Sequence, residues 1–246
     1  MDDPGFCHYP APPPPVGVRL AIIPSRPCPY LPAREETTRA FYASRIDPLI
    51  YHDFMNASFR RSGCVIYQPA CAGCRECVPL RVPVKSFQPS KSQRRCRKRN
   101  EDLVVSIAAP EPTAEKFDLY ARYQAQWHEK TEPETYIEFV NFLYRSPVDT
   151  LEFSYRNGSG KLVAVGICDI CRKSLSSVYF FFDPAESRRG LGTFGALCEI
   201  EYAARQGIDY FYLGFWIKES PKMGYKADFR PYELLRPDGV WRLIED

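Results

Sequence analysis

Residues 151–215 impose the tightest restriction on what this chain can fold into. Three stretches, 151–156, 162–171 and 175–183, are rich in Val, Ile, Tyr and Phe and read as strands. Gly158-Ser-Gly160 supplies a hairpin turn between the first two. Arg188-Arg-Gly-Leu-Gly192 then leads into a helical pattern over 193–206, stopped at Gly207, and a further strand follows at 209–215. A helix that returns the chain to its own sheet must cross one face of it. The order therefore predicts a mixed α/β sheet of the α+β kind, with a ligand-binding turn where the helix starts.

The first half is built differently. Residues 34–45 and 47–59 read as two helices broken at Pro48, and 64–68 and 79–84 alternate like strands. Three cysteines lie on the connection between those strands, in Cys71-Ala-Gly-Cys74-Arg-Glu-Cys77. A run with six Lys or Arg in nine residues, 91–99, opens a short helix behind Ser90 as N-cap. Pro110-Glu-Pro112 then breaks the pattern. Beyond it Phe117, Tyr120, Tyr123 and Trp127 recur at helical spacing within 113–130, a stripe expected to face the core. The expected organisation is a Pro-rich disordered tail over 1–18, a Cys-rich basic domain over 19–109 and a catalytic domain over 110–246.

Composition excludes several classes. The N-terminal residues carry no basic, apolar leader, and no apolar run reaches the length of a membrane span, so a cytoplasmic protein without membrane contact is expected. Ten cysteines in that compartment point to thiol, metal or redox use rather than a disulfide framework. The net charge of +3 hides an asymmetry: residues 1–107 hold 16 Lys/Arg against 9 Asp/Glu, and residues 108–246 hold 17 against 21. A polyanion belongs on the first half.

Four groups of residues carry chemistry. Cysteines at CxxCxxC spacing give three soft ligands, and proline-flanked Cys28 is the candidate fourth. Thiolates suit zinc and an iron–sulfur cluster equally, and reduced thiols in a tight turn are the metal-free alternative. Lys91, Arg94, Arg95, Lys98 and Arg99 share a helical face suited to nucleic-acid phosphates. Gly190 and Gly192 open a helix N-terminus that can hold an anion. That turn resembles the phosphate loop of the acetyl-CoA-dependent acyltransferases, Q/R-x-x-G-x-G/A, although Ser187 stands where Gln or Arg is expected. Lastly, residues 211–226 set Lys218, Lys222 and Lys226 among aromatics, as in the wall of a cleft. The three histidines, His8, His52 and His128, form no hydrolase triad.

Taken in order, Cys28-Pro-Tyr-Leu-Pro32, Phe59-Arg-Arg-Ser-Gly63, Tyr67-Gln-Pro-Ala-Cys71 with Cys74 and Cys77, Phe87-Gln-Pro-Ser-Lys-Ser-Gln93, Phe182-Asp-Pro184, Leu191-Gly-Thr-Phe194, Tyr212-Leu-Gly-Phe-Trp216 and Lys222-Met-Gly-Tyr-Lys226 resemble the aminoacyl-tRNA–protein transferases of the N-degron pathway. Bacterial members transfer leucine and eukaryotic ones arginine; the length and the CxxCxxC spacing follow the bacterial pattern. The resemblance implies an acyltransferase (GNAT-like) mixed sheet in the C-terminal part. It implies an aminoacyl-tRNA donor, Leu-tRNA first, and acceptor proteins beginning with Asp or Glu that are thereby marked for degradation. No cofactor is required for that chemistry, while a cluster or zinc at Cys28, Cys71, Cys74 and Cys77 is implied by the family. An acidic acceptor needs a cationic pocket, for which Arg60, Arg61, Lys222 and Lys226, with Tyr225 beside them, are the candidates. The catalytic group is unassigned. An arginyl donor, an acetyl-CoA-dependent N-acetyltransferase and a metal-stabilised RNA-binding module are the competing readings.

Overall fold

The computed structural model describes residues 13–245. The expectation for the first twelve residues, His8 among them, lies outside these.

Two sheets organise the chain. The smaller is antiparallel, with order β1-β2-β4-β3, from β1 (Ala21–Pro27), β2 (Glu35–Tyr42), β3 (Arg60–Ser62) and β4 (Val65–Pro69). Residues 34–45, expected as a helix, are thus largely the strand β2. Thr37, Thr38, Phe41 and Tyr42 favour extended backbone, and Thr37 and Ala40 bury between neighbouring strands. The second expected helix is α1 (Pro48–Asn56), with Pro48 in its first turn and the Asp47 carboxylate capping Leu49 and Ile50. Phe54, Phe59 and Phe41 pack edge-on and tilted between α1 and this sheet. Fully burying each such ring stabilises by about 2–3 kcal/mol.

The larger sheet runs β12-β11-β5-β10-β9-β8-β7-β6. Its centre is β7 (Thr150–Arg156), β8 (Leu162–Cys171), β9 (Ser174–Phe182) and β10 (Tyr210–Trp216). The first three form an antiparallel meander; α5 (Leu191–Arg205) returns the chain so that β10 lies parallel to β9. The mixed sheet expected from residues 151–215 is the one observed. Four further strands, β5 (Val78–Pro83), β6 (Val104–Ala108), β11 (Tyr232–Leu235) and β12 (Trp241–Ile244), complete it. On one face lies α5; on the other lies α3 (Ala114–Trp127), capped by Thr113. Tyr120 and Tyr123 of its stripe are buried, while Trp127 stands half-exposed at the rim against Phe182.

Long-range pairing redraws the organisation expected from sequence. The strand β5 (Val78–Pro83) pairs with both β10 and β11, and β6 pairs with β7. The Pro110-Glu-Pro112 break therefore falls between β6 and α3 of one sheet system, rather than where the sheet ends. Local propensity contains no record of such partners.

Candidate functional site

The strands β9 and β10 part in the middle of the sheet. They pair only through Ser174, Leu175 and Ser176 with Tyr210, Phe211 and Tyr212. Both then carry irregularities: β10 shifts register against β5 between Tyr212 and Gly214, and β9 shifts against β8 opposite Ile167 and Cys168. Bulges of this kind re-aim side chains and end a ladder. Gly214 adopts φ +84°, a backbone conformation costly for residues with a Cβ. Past the parting, the Phe215 carbonyl accepts a hydrogen bond from Lys226 Nζ at 2.9 Å.

Two buried cations meet at this parting. Lys226 comes from the short 3₁₀ turn Gly224–Asp228, and Arg60 comes from β3. The Arg60 guanidinium lies 5.3 Å from the centroids of both Tyr212 and Phe215. Its Nη1 donates to the Met55 and Phe59 carbonyls, while Nε and Nη2 have no partner. Burial, reinforced by the Arg60 charge, pushes Lys226 down to about 7. Burial also lowers Arg60. Neither appears in an ion pair among the described residues. Buried cations without a counter-charge are costly to the fold.

Arg61, the next residue along β3, has a different environment. Its Nε donates to both oxygens of Asp169 at 2.8 and 2.7 Å, with both side chains essentially buried. Tyr51 Oη and Thr150 Oγ1 donate to the same carboxylate. Arg61 thus fastens the small sheet to β8, and Asp169 answers its charge, although Nη1 and Nη2 have no hydrogen-bond partner. Lys222 is exposed, near enough to half-buried His128 to help lower that imidazole, with burial the larger cause. Tyr225, 42% exposed, lies close to Tyr123, which itself lies close to Tyr179; burial pushes Tyr179 up to about 12. Gln124 holds the Tyr179 hydroxyl at 2.9 Å. Of this wall, Tyr225 was expected in a cleft, whereas Tyr123 and Tyr179 were expected only as core and strand. The signal was the run Tyr179-Phe-Phe-Phe182, too aromatic for simple alternation.

The basic helix and the glycine turn come together. The helix is α2 (Lys91–Arg99), with Ser90 and Gln93 forming a reciprocal capping box. Its inner face, Gln93 and Cys96, docks on the turn before α5, where Cys96 Sγ bonds the Arg189 and Gly190 carbonyls at 3.6 and 3.4 Å. A 270 Å³ cavity lies between them, lined by Arg99, Gly190, Thr193, Tyr225 and Phe229 among others. Lys91, Arg94, Arg95 and Lys98 project outward. Arg99 is tied to the Arg188 carbonyl at 2.8 Å, and Arg97 to Glu201 at 2.7 Å. Arg94 likewise donates to the Pro89 carbonyl, so the unengaged cations of this face are Lys91, Arg95 and Lys98. Gly192 sits in the first turn of α5.

Cys28, Cys71, Cys74 and Cys77 converge at the edge of the small sheet. Cys77 is pushed up to about 12 by burial and then by Cys71, Cys28 and Cys74. Cys71 is raised by burial as well, against a hydrogen bond from Thr37 N at 3.4 Å, and Arg34 Nη1 reaches Cys74 Sγ at 3.1 Å. Among the described residues no three side chains are gathered to metal-ligand distance. Thiolates are donors of the type that suits an ion or cluster, but the described geometry does not gather these four to ligand distance.

A cavity of 580 Å³ lies at the other end of β9 and β10. There Arg81 is clamped between the Tyr210 and Trp241 rings at 3.8 and 4.2 Å and paired with Glu233. His52 is held by Ser174 and Asn56. Asp183 caps Ala185 and meets Lys161, a structural role at the helix-flanking turn.

Two family models match the chain: the N terminus of arginine-tRNA-protein transferase over residues 26–95, and its C terminus over 115–236. Two relatives are named aspartate/glutamate leucyltransferase. The one from Saccharophagus degradans is 39% identical over 88% of this chain and 93% of its own. The one from Pseudomonas fluorescens is 42% identical over 88% and 94%. Among solved structures, the C-terminal DUF2156 domain of an Agrobacterium fabrum protein named as a lysylphosphatidylglycerol synthetase superposes with a TM-score of 0.51 at 16% identity. That likeness covers 79% of this chain and 65% of the other and concerns the fold alone. No helix of the described residues is long and apolar enough to cross a membrane.

Proposed function

The chain belongs to the arginine-tRNA-protein transferase family, and on that premise we propose that it transfers leucine from leucyl-tRNA to the α-amine of proteins beginning with Asp or Glu. The observation that carries the choice of donor is the 39–42% identity, across almost the whole length, to relatives named for leucyl transfer to those two residues.

The chemistry asks little of the protein. An aminoacyl ester is already activated, and an α-amine with a pKa of about 7.7–8.0 has a useful neutral fraction at neutral pH. Holding amine and ester in line lowers the barrier by several kcal/mol. The gap between β9 and β10 supports this alignment, because its backbone is free of a ladder partner and can face the developing oxyanion. Arg60 and Lys226 take the side-chain carboxylate of the acceptor, matching their missing counter-charge. Tyr123, Tyr179 and Tyr225 offer a leucyl side chain an apolar wall. Lys91, Arg94, Arg95 and Lys98 hold the tRNA backbone, and the cavity by Gly190 and Arg99 receives a phosphate near its 3′ end. Cys28, Cys71, Cys74 and Cys77 would hold a structural ion or cluster, which fastens the loop and takes no part in the transfer. A cytoplasmic location, where charged tRNA and reduced thiols coexist, accompanies this reading.

The test incubates the purified protein with radiolabelled Leu-tRNA or Arg-tRNA and reporters beginning with Asp, Glu, Arg or Lys. Leucine on the Asp and Glu reporters alone is expected. Arginine on those reporters would change the donor, and no transfer from either tRNA would overturn the reading.

A further inference from the structure

One buried acid has no part in the scheme above. Glu199 lies on α5, facing the sheet, and is 1% exposed. Its Oε1 has no hydrogen-bond partner. The groups around the carboxyl are Cys168 of β8, Ser177 of β9, Tyr155 of β7, Cys198 of α5 and Tyr225 of the 3₁₀ turn. Among the described residues no cation offsets its charge, and burial pushes it up to about 8. A methyl group or an amide would fill this place at lower cost, yet the strand beside it is shaped to accept the acid. A Cβ added at Gly166 would lie 2.6 Å from Glu199 Oε1, so a larger residue there would have to displace the carboxyl.

The position of Ser177 gives the acid an outlet. Ser176 is the last β9 residue paired with β10, so Ser177 is the first residue beyond the parting. The β8–β9 register changes at this point, from Ile167 opposite Tyr179 to Cys168 opposite Ser177, which leaves Val178 as the extra residue. Ser177 is only partly buried and lies within hydrogen-bonding reach of the Glu199 carboxyl. The bulge therefore connects an interior acid, one of whose oxygens is unpartnered, to the edge of the gap through one hydroxyl.

We propose that Ser177 and Glu199 form the proton relay of the aminoacyl transfer. This rests on the transferase reading. The α-amine attacks the ester carbon, forming the N–C bond while the carbonyl π pair moves onto oxygen. Collapse of the tetrahedral species breaks the bond to the ribose 3′ oxygen. One N–H proton must leave nitrogen and one proton must reach that oxygen. Ser177 Oγ takes the first while passing its own hydrogen to Glu199, and the reverse movement delivers it to the departing oxygen. Atoms and charge balance with no further reactant. An acid titrating near the amine it serves is matched to this task, since transfer in either direction is close to thermoneutral. Ser177 is the group that touches substrate; Glu199 is the positioning residue behind it.

The experiment compares wild type, Glu199→Gln and Ser177→Ala under single-turnover conditions with Leu-tRNA and an Asp reporter, alongside KM for the reporter, tRNA affinity and melting temperature. Glu199→Gln keeps shape and removes only the titrating function. The expected result is a fall of about 100-fold or more in the transfer rate, with KM, tRNA affinity and melting temperature kept or raised. For Ser177→Ala a smaller fall is expected in the same parameter. A Glu199→Gln rate within threefold of wild type would overturn the relay while leaving the transferase reading intact. If Glu199→Gln does not fold, Ser177→Ala decides: an unchanged rate sinks the relay. Absence of transfer by wild type would remove both proposals together.

Discussion

Arg60 and Arg61 are neighbours on one strand and are almost equally buried, yet their surroundings are opposite. Arg61 meets a carboxylate that also accepts from Tyr51 and Thr150. Arg60 meets two aromatic rings, two backbone carbonyls and another cation. Strand alternation sends the two side chains to opposite faces, one toward β8 and one toward the parting of β9 and β10. A buried charge whose partner is supplied by the chain is a fastening. A buried charge whose partner is missing is a candidate site, the role proposed for Arg60.

The fastening gives the largest expected effect. Asp169→Ala leaves Arg61 buried and unanswered, and loss of one partner of such a pair costs about 3–5 kcal/mol. Urea denaturation should show this as a lower midpoint with an unchanged slope. If Asp169→Ala melted like wild type, the distinction between the two arginines would lose its physical basis.

Arg60→Met reverses the pattern. Stability should stay near wild type, since a charge without a counter-ion is exchanged for an apolar side chain. Transfer to Asp and Glu reporters should fall by roughly 30- to 100-fold, the 2–3 kcal/mol of a charge-assisted hydrogen bond to the acceptor. The loss should appear in reporter KM. A variant that loses stability and keeps its preference for acidic N-termini would make Arg60 a fastening as well.

The pH dependence sharpens the same contrast. Lys226 is pushed down to about 7 from an ordinary value of 10.5. Between those limits the unfolded chain binds more protons than the folded one, so stability attributable to this lysine rises with pH above 7. The bound acceptor carboxylate favours the charged form, so affinity for an Asp reporter should weaken over the same interval. Lys226→Met should abolish both slopes, read by melting temperature and by reporter KM from pH 6 to 9. The Arg61 pair contributes no slope there, because its guanidinium is raised still further.

Much of this was legible in the sequence, for reasons that separate along the same line. The helix over 91–99, its Ser90 cap and the strand-turn-helix-strand order are local, so capping chemistry and periodicity revealed them. Arg60 and Arg61 were equally good candidates because they are adjacent, and what distinguishes them is Asp169, 108 residues away. Lys226 was marked by its aromatic neighbours, but its burial depends on the parting of β9 from β10. β2 was misread as a helix since its pairing with β1 and β4 is non-local. Glu199 had a signal that was passed over: an acid inside the apolar run Ala196-Leu-Cys-Glu199-Ile.

The smallest effect per residue belongs to a third set of cations, those that water already answers. Lys91, Arg95 and Lys98 are exposed on α2 and appear in no ion pair among the described residues. Each should therefore be removable without loss of stability, unlike Arg61, and without change in acceptor preference, unlike Arg60. Their work is to displace counterions from the tRNA backbone. Each contributes roughly 0.7–0.9 to the slope of log affinity against log salt. Replacing the three by Ala should flatten that slope by about 2 to 3, with the weakening of leucyl-tRNA binding most visible at low ionic strength. The measurement is filter binding across a salt series. An unchanged slope would place the tRNA elsewhere and leave the α2 face as a solvated surface whose capping box serves the fold alone.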